Sequence, residues 1–577
     1  MVAMLESRLQ GGHGRRRAAA LLGLLAGLAI GTSQAADTTS AGLGAYGTKT
    51  RGGLFGGGMP PNPSYRTGDA LGRAAPTNQW YTSVIFDRWS RPLFAQPLSY
   101  RAGPEVFEVG TPERHVSVQE TGQREVRYPH VAAITISATA WKPQDARLSD
   151  YSDWLAQIRM AASPTESLTA TILHGSPFSY YEISAGDVRF SLAGTISILV
   201  DPRTGGIDPR VASFSIGGHP YAVFAPTGAT WDWSDSSVLV LHLPAQQRYF
   251  SVAGLPDEQA ATLKDFLGVA YAFPTATHAQ WTYDPKTSSV QTTYQVDTVA
   301  KEGSGLTTFM GLYPHQWDAL AAPLASTYHY ETVRGRIRLI AANRFTDDRV
   351  YHGILPDWPG LQDPAHRAAV DSLLVGDFAK SSGFYHKNNG NGTYWVGKGL
   401  GTAAQLMGVA EAEGKDSMRD KLLAEMKSRM ESWFDGKSST YFVQDAAIGS
   451  FLGFPEEYNS VTHMNDHHFH YGYWIMAAAQ VALRDPHWAS DTQWGAMVGK
   501  LIADIATDER GRSDFPFLRN FDTYEGHSWA SGDADSDDGN NQESSSEAIN
   551  AWAGLILWGE ATGNDRIRDL GVYLYTT

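Results

Sequence analysis

The chain has 577 residues, 42% of them hydrophobic and 19% charged, with a formal net charge of −15 and no cysteine. The length calls for more than one domain, and the acidic balance argues against nucleic acid or an anionic membrane as the main partner. The absence of thiols excludes disulfides, thiolate metal sites and a cysteine nucleophile.

The first 35 residues read as a signal peptide. Arg15, Arg16 and Arg17 form a charged start, Ala18 to Ile30 is apolar but too short to span a bilayer, and Ser33-Gln34-Ala35 is a small-x-small cleavage site. A secreted mature chain starting at Ala36, with no membrane segment, is expected. Residues 36–75 are rich in Gly, Pro, Thr and Ser and read as a flexible leader.

From Asn78 the pattern changes to short alternating runs punctuated by turns such as Gly175-Ser176-Pro177 and Gly217-Gly218. Predicted strands are 79–86, 131–137, 168–173, 180–183, 188–192, 237–243, 248–252, 290–296 and 307–312, together a large β-sandwich over 76–325. Residues 326–363 form a small linking α/β segment, closed by the loop Leu355 to Gly360. After Asp363 the period becomes helical, with seven predicted helices at 366–380, 400–413, 416–433, 471–483, 488–505, 543–560 and 565–574. The stripe Met418, Leu422, Met426, Met430, Trp433 occupies one helix face. Helices separated by long aromatic, polar loops suggest a helical toroid over 364–577, with its cleft built by loops at one end.

Two stretches carry chemistry. The first is Asn465-Asp466-His467-His468-Phe469-His470-Tyr471-Gly472-Tyr473, at the start of an apolar helix. The second runs from Asp522 through Tyr524, His527 and Trp529 to Asn541, Glu543 and Glu547. Asp466 is placed either to cap its helix or to act as an acid. Glu543 and Glu547, four apart, are expected on one face of a helix N-terminus, which favours ionised carboxylates. We read the three as facing one another across a groove and cleaving a glycosidic bond, one holding a proton and another acting as base or nucleophile. A separation of ~6.5–9.5 Å would mean inversion and ~5–5.5 Å retention. His470, Tyr473, Asp522, Tyr524, His527, Trp529 and Asn541 are the expected substrate contacts. The histidines lack metal-ligand spacing. The acidic run Asp533 to Asp538 fails as a calcium loop, because its glycine falls one place late and its twelfth position is Ser544. An acidic solvated loop and no metal or cofactor are expected.

The motifs N-D-H-H-F-H-Y-G-Y at 465–473, N-F-D-T-Y-E-G-H-S-W-A-S-G at 520–532 and D-G-N-N-Q-E-S-S-S-E-A at 538–548 resemble glycoside hydrolase family 81, the endo-β-1,3-glucanases or laminarinases. N-Q-W-Y-T at 78–82, G-S-P-F-S-Y-Y-E at 175–182 and L-Y-P-H-Q-W at 312–317 extend the likeness upstream. The resemblance implies an N-terminal β-sandwich, a linking domain and a C-terminal (α/α)6 toroid, with inverting hydrolysis of internal β-1,3-glucosidic bonds. It makes Asp466 the general acid and Glu543 the base, with Glu547 as a supporting or alternative carboxylate. It implies a β-1,3-glucan as partner and no cofactor; a monomer is expected. Seven predicted helices fall short of a full toroid, so a truncated chain is expected, with apolar faces at Leu555, Ile556, Leu570 and Leu574 exposed. The alternatives are an inactive glucan-binding module and a polysaccharide lyase on a similar toroid. The complete Asp/Glu/Glu set disfavours the first. The acidity of the cleft disfavours the second, which needs a cation beside a uronate.

Overall fold

The computed structural model describes residues 38–49, 58–118, 120–204, 206–324, 326–379 and 391–577. The expected signal peptide lies outside them. The described chain is β-rich in its N-terminal part and helical in its C-terminal part.

Two antiparallel sheets face one another across a shared core. One has eight strands in the order 196–200, 211–216, 219–224, 249–254, 178–183, 166–173, 155–163, 145–151. The other has seven, in the order 230–235, 238–242, 188–192, 134–138, 106–110, 99–103, 93–94. Phe107 meets Tyr181 at 5.7 Å between ring centres and Phe190 meets Phe250 at 5.4 Å, so the inner faces interlock. The central strands of the eight-stranded sheet are buried on both sides. In the strand 219–224, Tyr221 and Val223 point into this core, while Ala222 and Phe224 point into a second one.

The second core is covered by helix α2 (Ala260–Val269) and by two three-stranded sheets. In the first, 289–300 lies between 272–284 and 344–350; in the second, 335–341 lies between 309–312 and 329–332. The strands expected at 290–296 and 307–312 therefore pair within residues 272–350 rather than with the two large sheets. Alternation and turns locate a strand but do not name its partner. The expected strand 79–86 is instead a turn followed by helix α1 (Ser83–Phe86). Its buried residues, Trp80, Tyr81, Val84 and Ile85, repeat at helical spacing. Helix α3 (Pro314–Trp317) closes the linking unit.

The helical part contains α4 (Pro364–Ala379), α5 (Thr393–Ala412), α6 (Asp416–Phe434), α7 (His467–Arg484), α8 (Gly495–Ala506), α9 (Ser545–Thr562) and α10 (Asp565–Thr576). Helix α7 is its centre, packed by α5, α6, α8 and α9 and buried on almost every face. Helix α5 starts seven residues earlier than its periodicity predicts. Its glycines are close-approach points rather than breakers: a Cβ at Gly397 would lie 3.0 Å from the Trp474 ring, and one at Gly401 3.1 Å from Tyr473. Leu422, Met426, Met430 and Trp433 are fully buried, as their stripe requires.

Two expectations are corrected. Residues 38–47, read as flexible leader, form a hairpin that joins the strands 441–445 and 450–454 through Gly47 and Val443 and anchors Tyr46 in the helical core. Backbone pairing and one aromatic anchor order a segment whose composition looks loose. Leu555, Ile556, Leu570 and Leu574, expected to be exposed, are at most 4% accessible. Helix α10 packs back on α9 and on the linking strands, where Tyr573 stacks on Trp281 at 4.1 Å. Among the described residues no helix is long and apolar enough to cross a membrane.

A buried ionic network joins these parts. Asp504 on α8 accepts from Ser450 Oγ at 2.8 Å, Phe451 N at 2.9 Å and His467 Nδ1 at 2.6 Å, with Arg519 at 3.4 Å. Arg519 donates to Asp504 O at 3.0 Å, to Thr77 Oγ1 at 2.6 Å and to Gly449 O. All three ionisable side chains are fully buried. Asp504→Ala leaves Arg519 charged and unpaired in the interior, so equilibrium denaturation is expected to show a loss of about 3–5 kcal/mol.

Candidate active site

Asp466 occupies the cap position of α7 but does not cap it. Its backbone is left-handed (φ 61°), and no side-chain hydrogen bond reaches the first turn. The cap is made by its carbonyl, which accepts from Phe469 N at 2.9 Å and His470 N at 3.0 Å. The carboxyl is thereby released, and its Oδ1 is buried without a partner among the described residues. Burial first, then the charges of Glu543 and Glu547, push its pKa from 3.8 up to about 7.

The loops around Asp466 are held by backbone contacts. Asp466 N donates to Ala530 O at 3.0 Å, and Ala530 N to Asn541 O at 2.7 Å, which ties both predicted motifs into one wall. Asn78, buried at φ 60°, donates to Met464 O at 3.2 Å and to Ala530 O at 3.1 Å. Non-glycine residues with positive φ gather here: Tyr458, Asn459, Met464, Asp466, Ala534 and Glu543. Such positions cost about 1–3 kcal/mol each and persist where the surroundings over-determine them.

The two glutamates differ from expectation in placement. Helix α9 begins at Ser545, so only Glu547 lies in its first turn. Glu543 precedes the helix at φ 52°, exposed and without a hydrogen-bond partner among the described residues. Serines 544–546 favour a helix start there rather than at 543. Glu547 Oε1 accepts from Tyr473 Oη at 2.8 Å and Tyr394 Oη at 3.0 Å. Lys398 Nζ lies 3.8 Å from the same oxygen and donates to Tyr394 Oη at 3.1 Å. Burial and this carboxylate raise the pKa of both phenols. Tyr473 and Lys398 also line a cavity of about 920 Å³ with Trp358, Met476, Gln480 and Asn550.

The remaining expected contacts divide. Tyr473 faces the carboxylates. His527 and Trp529 line a second cavity of about 370 Å³. Asn541 is exposed, and its carbonyl braces Ala530. Asp522 and Tyr524, expected at the cleft, are buried. Asp522 holds His174 at 2.9 Å and Trp529 Nε1 at 3.0 Å; despite its burial, His174 and these hydrogen bonds take its carboxyl well below the ordinary range. Tyr524 fills the second core against Trp154 at 4.9 Å. His470 is buried behind Tyr394, 2.8 Å from Thr393 Oγ1. Burial lowers the pKa of His468 to about 3 and that of His470 well below its ordinary value, so both stay neutral. The acidic loop is not simply solvated: Asp533 pairs with His463 at 2.6 Å, Asp535 and Asp537 with Arg91, and Asp538 with Arg127 at 3.5 Å. Tyr394 and Lys398 lie between the helices predicted at 366–380 and 400–413, in a stretch given no reading from the sequence; the signal was the aromatic pair and lysine of T-Y-W-V-G-K.

Fold and site define a β plus α protein with a carboxylate cluster containing one proton-holding aspartate. Residues 366–576 match the glycosyl hydrolase family 81 C-terminal domain. The chain is 40% identical over 529 residues to a glucan endo-1,3-beta-D-glucosidase of Acetivibrio thermocellus, covering 90% of this chain and 66% of that protein. It is 37% identical over 513 residues to one of Thermobifida fusca, covering 87% and 65%. It thus spans about two thirds of the length of these curated relatives. A solved structure of glycoside hydrolase family 81 from Clostridium thermocellum, a glutamate-to-alanine mutant, superposes with a TM-score of 0.86 at 38% identity, covering 93% of this chain and 73% of that one. The chain belongs to glycoside hydrolase family 81.

The raised Asp466 pKa has a measurable consequence. The folded chain binds this proton more tightly than the unfolded chain, so the stability it contributes is complete below about pH 4 and lost as pH rises through about 7. Asn cannot ionise. Asp466→Asn is therefore expected to match the wild type in thermal unfolding near pH 4 and to exceed it at pH 8. Partial solvation reduces the gain to roughly 1–2 kcal/mol.

Proposed function

We propose that the chain is a secreted hydrolase that cleaves internal β-1,3-glucosidic bonds of a glucan with inversion of configuration. The observation that carries this reading is Asp466, protonated up to about pH 7, beside the free carboxylate of Glu543. Asp466 gives its proton to the glycosidic oxygen as the C–O bond breaks. Glu543 takes a proton from the water that attacks the anomeric carbon from the opposite face. Exposure and freedom from hydrogen bonds suit Glu543 to receive a proton from water. Glu547, held by Tyr394 and Tyr473, suits a fixed role in orienting that water or the sugar.

The names of the relatives, glucan endo-1,3-beta-D-glucosidases, support the substrate class. The cavity beside Tyr473 and Lys398 is of a size suited to several sugar rings. We read the helical part as an arc of an (α/α)6 toroid, with a signal peptide over 1–35, a sandwich domain, a linking domain and a catalytic helical domain, acting as a monomer on the neutral polymer.

Proton NMR of laminarin digestion is expected to show internal β-1,3 cleavage with the α-anomer formed first. Asp466→Asn and Glu543→Gln are each expected to lower kcat about 10²–10⁴-fold while glucan binding survives. Full turnover by Asp466→Asn would falsify the acid assignment. In the wild type, kcat/KM is expected to fall as pH rises above about 7, because Asp466 then loses the proton it must donate.

A further inference from the structure

Helix α5 carries Tyr394, one of the two phenols that hold Glu547, yet α5 cannot cap itself. Its cap position is Gly392, in extended backbone (φ −85°) with no side chain to offer. The third helical residue, where a capping box places Glu or Gln, is Trp395. Both missing bonds come from one distant carboxylate. Glu457 Oε2 accepts from Trp395 N at 2.9 Å, the bond a cap side chain normally makes. Glu457 Oε1 accepts from Gly392 N at 2.8 Å, the return bond of a capping box. Its negative charge also faces the positive end of the helix. The fit is exclusive. A Cβ on Gly392 would come within 2.4 Å of Glu457 Cγ and 2.8 Å of Pro455 O, so a cap residue belonging to α5 and the Glu457 side chain cannot share this place.

The loop that holds Glu457 is itself fixed. Glu456 Oε1 accepts from Val461 N at 3.0 Å and Thr462 N at 2.7 Å, and Asn459 O accepts from His463 N at 3.0 Å and Asn465 N at 3.3 Å. The loop then runs directly into Asp466. The Tyr458 ring meets the Tyr394 ring edge-on at 4.9 Å. The first turn of α5 also reaches α7, where Trp474 Nε1 donates to Thr393 O at 2.8 Å. Glu457 thus ties the loop that delivers Asp466 to the helix end that delivers Tyr394, and Tyr394 Oη donates to Glu547 Oε1 at 3.0 Å. We infer that Glu457 is a positioning residue for the reaction: by capping α5 from outside, it sets the Tyr394 hydroxyl on Glu547 and so fixes that carboxylate relative to Asp466. It acts through the helix and not by contact with the glucan. The inference rests on the hydrolase reading for its kinetic consequence.

The test uses the full chain, with thermal unfolding confirming that each variant folds. Glu457→Ala removes the cap, Glu457→Gln keeps one acceptor, and Gly392→Ser in the Glu457→Ala background gives α5 a cap of its own. Hydrogen exchange at the first turn of α5 reads the cap, and laminarin hydrolysis reads kcat and KM. Glu457→Ala is expected to speed that exchange and to lower kcat about tenfold, with KM within about twofold. Glu457→Gln is expected to fall between it and the wild type, and Gly392→Ser to restore both exchange and kcat. In a Tyr394→Phe background, Glu457→Ala is expected to lower kcat by less than about twofold further, since both act through one hydroxyl. Suppose the wild type hydrolyses laminarin. If Glu457→Ala then keeps its kcat, or loses as much beside Tyr394→Phe as alone, or stays slow once Gly392→Ser has restored the cap, the positioning role is overturned and the hydrolase reading stands. If the wild type hydrolyses nothing, the hydrolase reading falls. The cap is then judged by exchange alone, upheld if Glu457→Ala speeds it and overturned if it does not.

Discussion

Everything at the site hangs on one buried ionic contact, that of Asp504 with His467 and Arg519. His467 directly follows Asp466, so the bond that fixes its ring also fixes the first turn of α7. Both ring nitrogens face acceptors, the Asp504 carboxylate and the Ser460 carbonyl, each at 2.6 Å. Arg519 carries the same network outward to Thr77, and its own carbonyl accepts from Gln79 Nε2 at 3.0 Å. A desolvated charge is tolerated only while every partner is present. The segment 77–79 and helices α7 and α8 are therefore coupled, because each supplies a member or a hydrogen-bond partner of the Asp504–Arg519 pair.

On that frame, three carboxylates of similar intrinsic acidity acquire different characters. Asp466 loses solvation and gains no donor, so it holds its proton. Glu547 meets two phenols and an ammonium on one oxygen. Glu543 stays in solvent, lifted off its helix by a left-handed backbone. Division of labour between acid and base requires such unequal surroundings. At Asp466, which holds the cap position of α7 at positive φ, the side chain makes no capping hydrogen bond.

The sandwich is more than a scaffold beside the helices. Asn78 bonds the carbonyls of Met464 and Ala530 on either side of Asp466. His174 meets Asp522 across the junction, and Arg91 and Arg127 gather the acidic loop that leads into Glu543. The acidic run that looked like a solvated surface is thus a strap between the two halves.

Local chemistry was legible in the chain itself. Strand alternation, the stripe of α6, the carboxylate-rich motifs and the likeness to a hydrolase family all follow from patterns within a few residues, where side-chain periodicity and turn chemistry act. What the tertiary structure decided was partnership. It paired the strands expected at 290–296 and 307–312 with 344–350 and 335–341, drew residues 38–47 into a sheet with 441–454, and buried Asp522, Tyr524 and His470 while leaving Glu543 free. It also brought Tyr394 and Lys398 to Glu547 across some 150 residues of chain. Propensity and spacing are properties of neighbours along the chain. Burial, ion pairing and the acidity of a carboxyl depend on which distant groups arrive beside it, and only the folded packing supplies them.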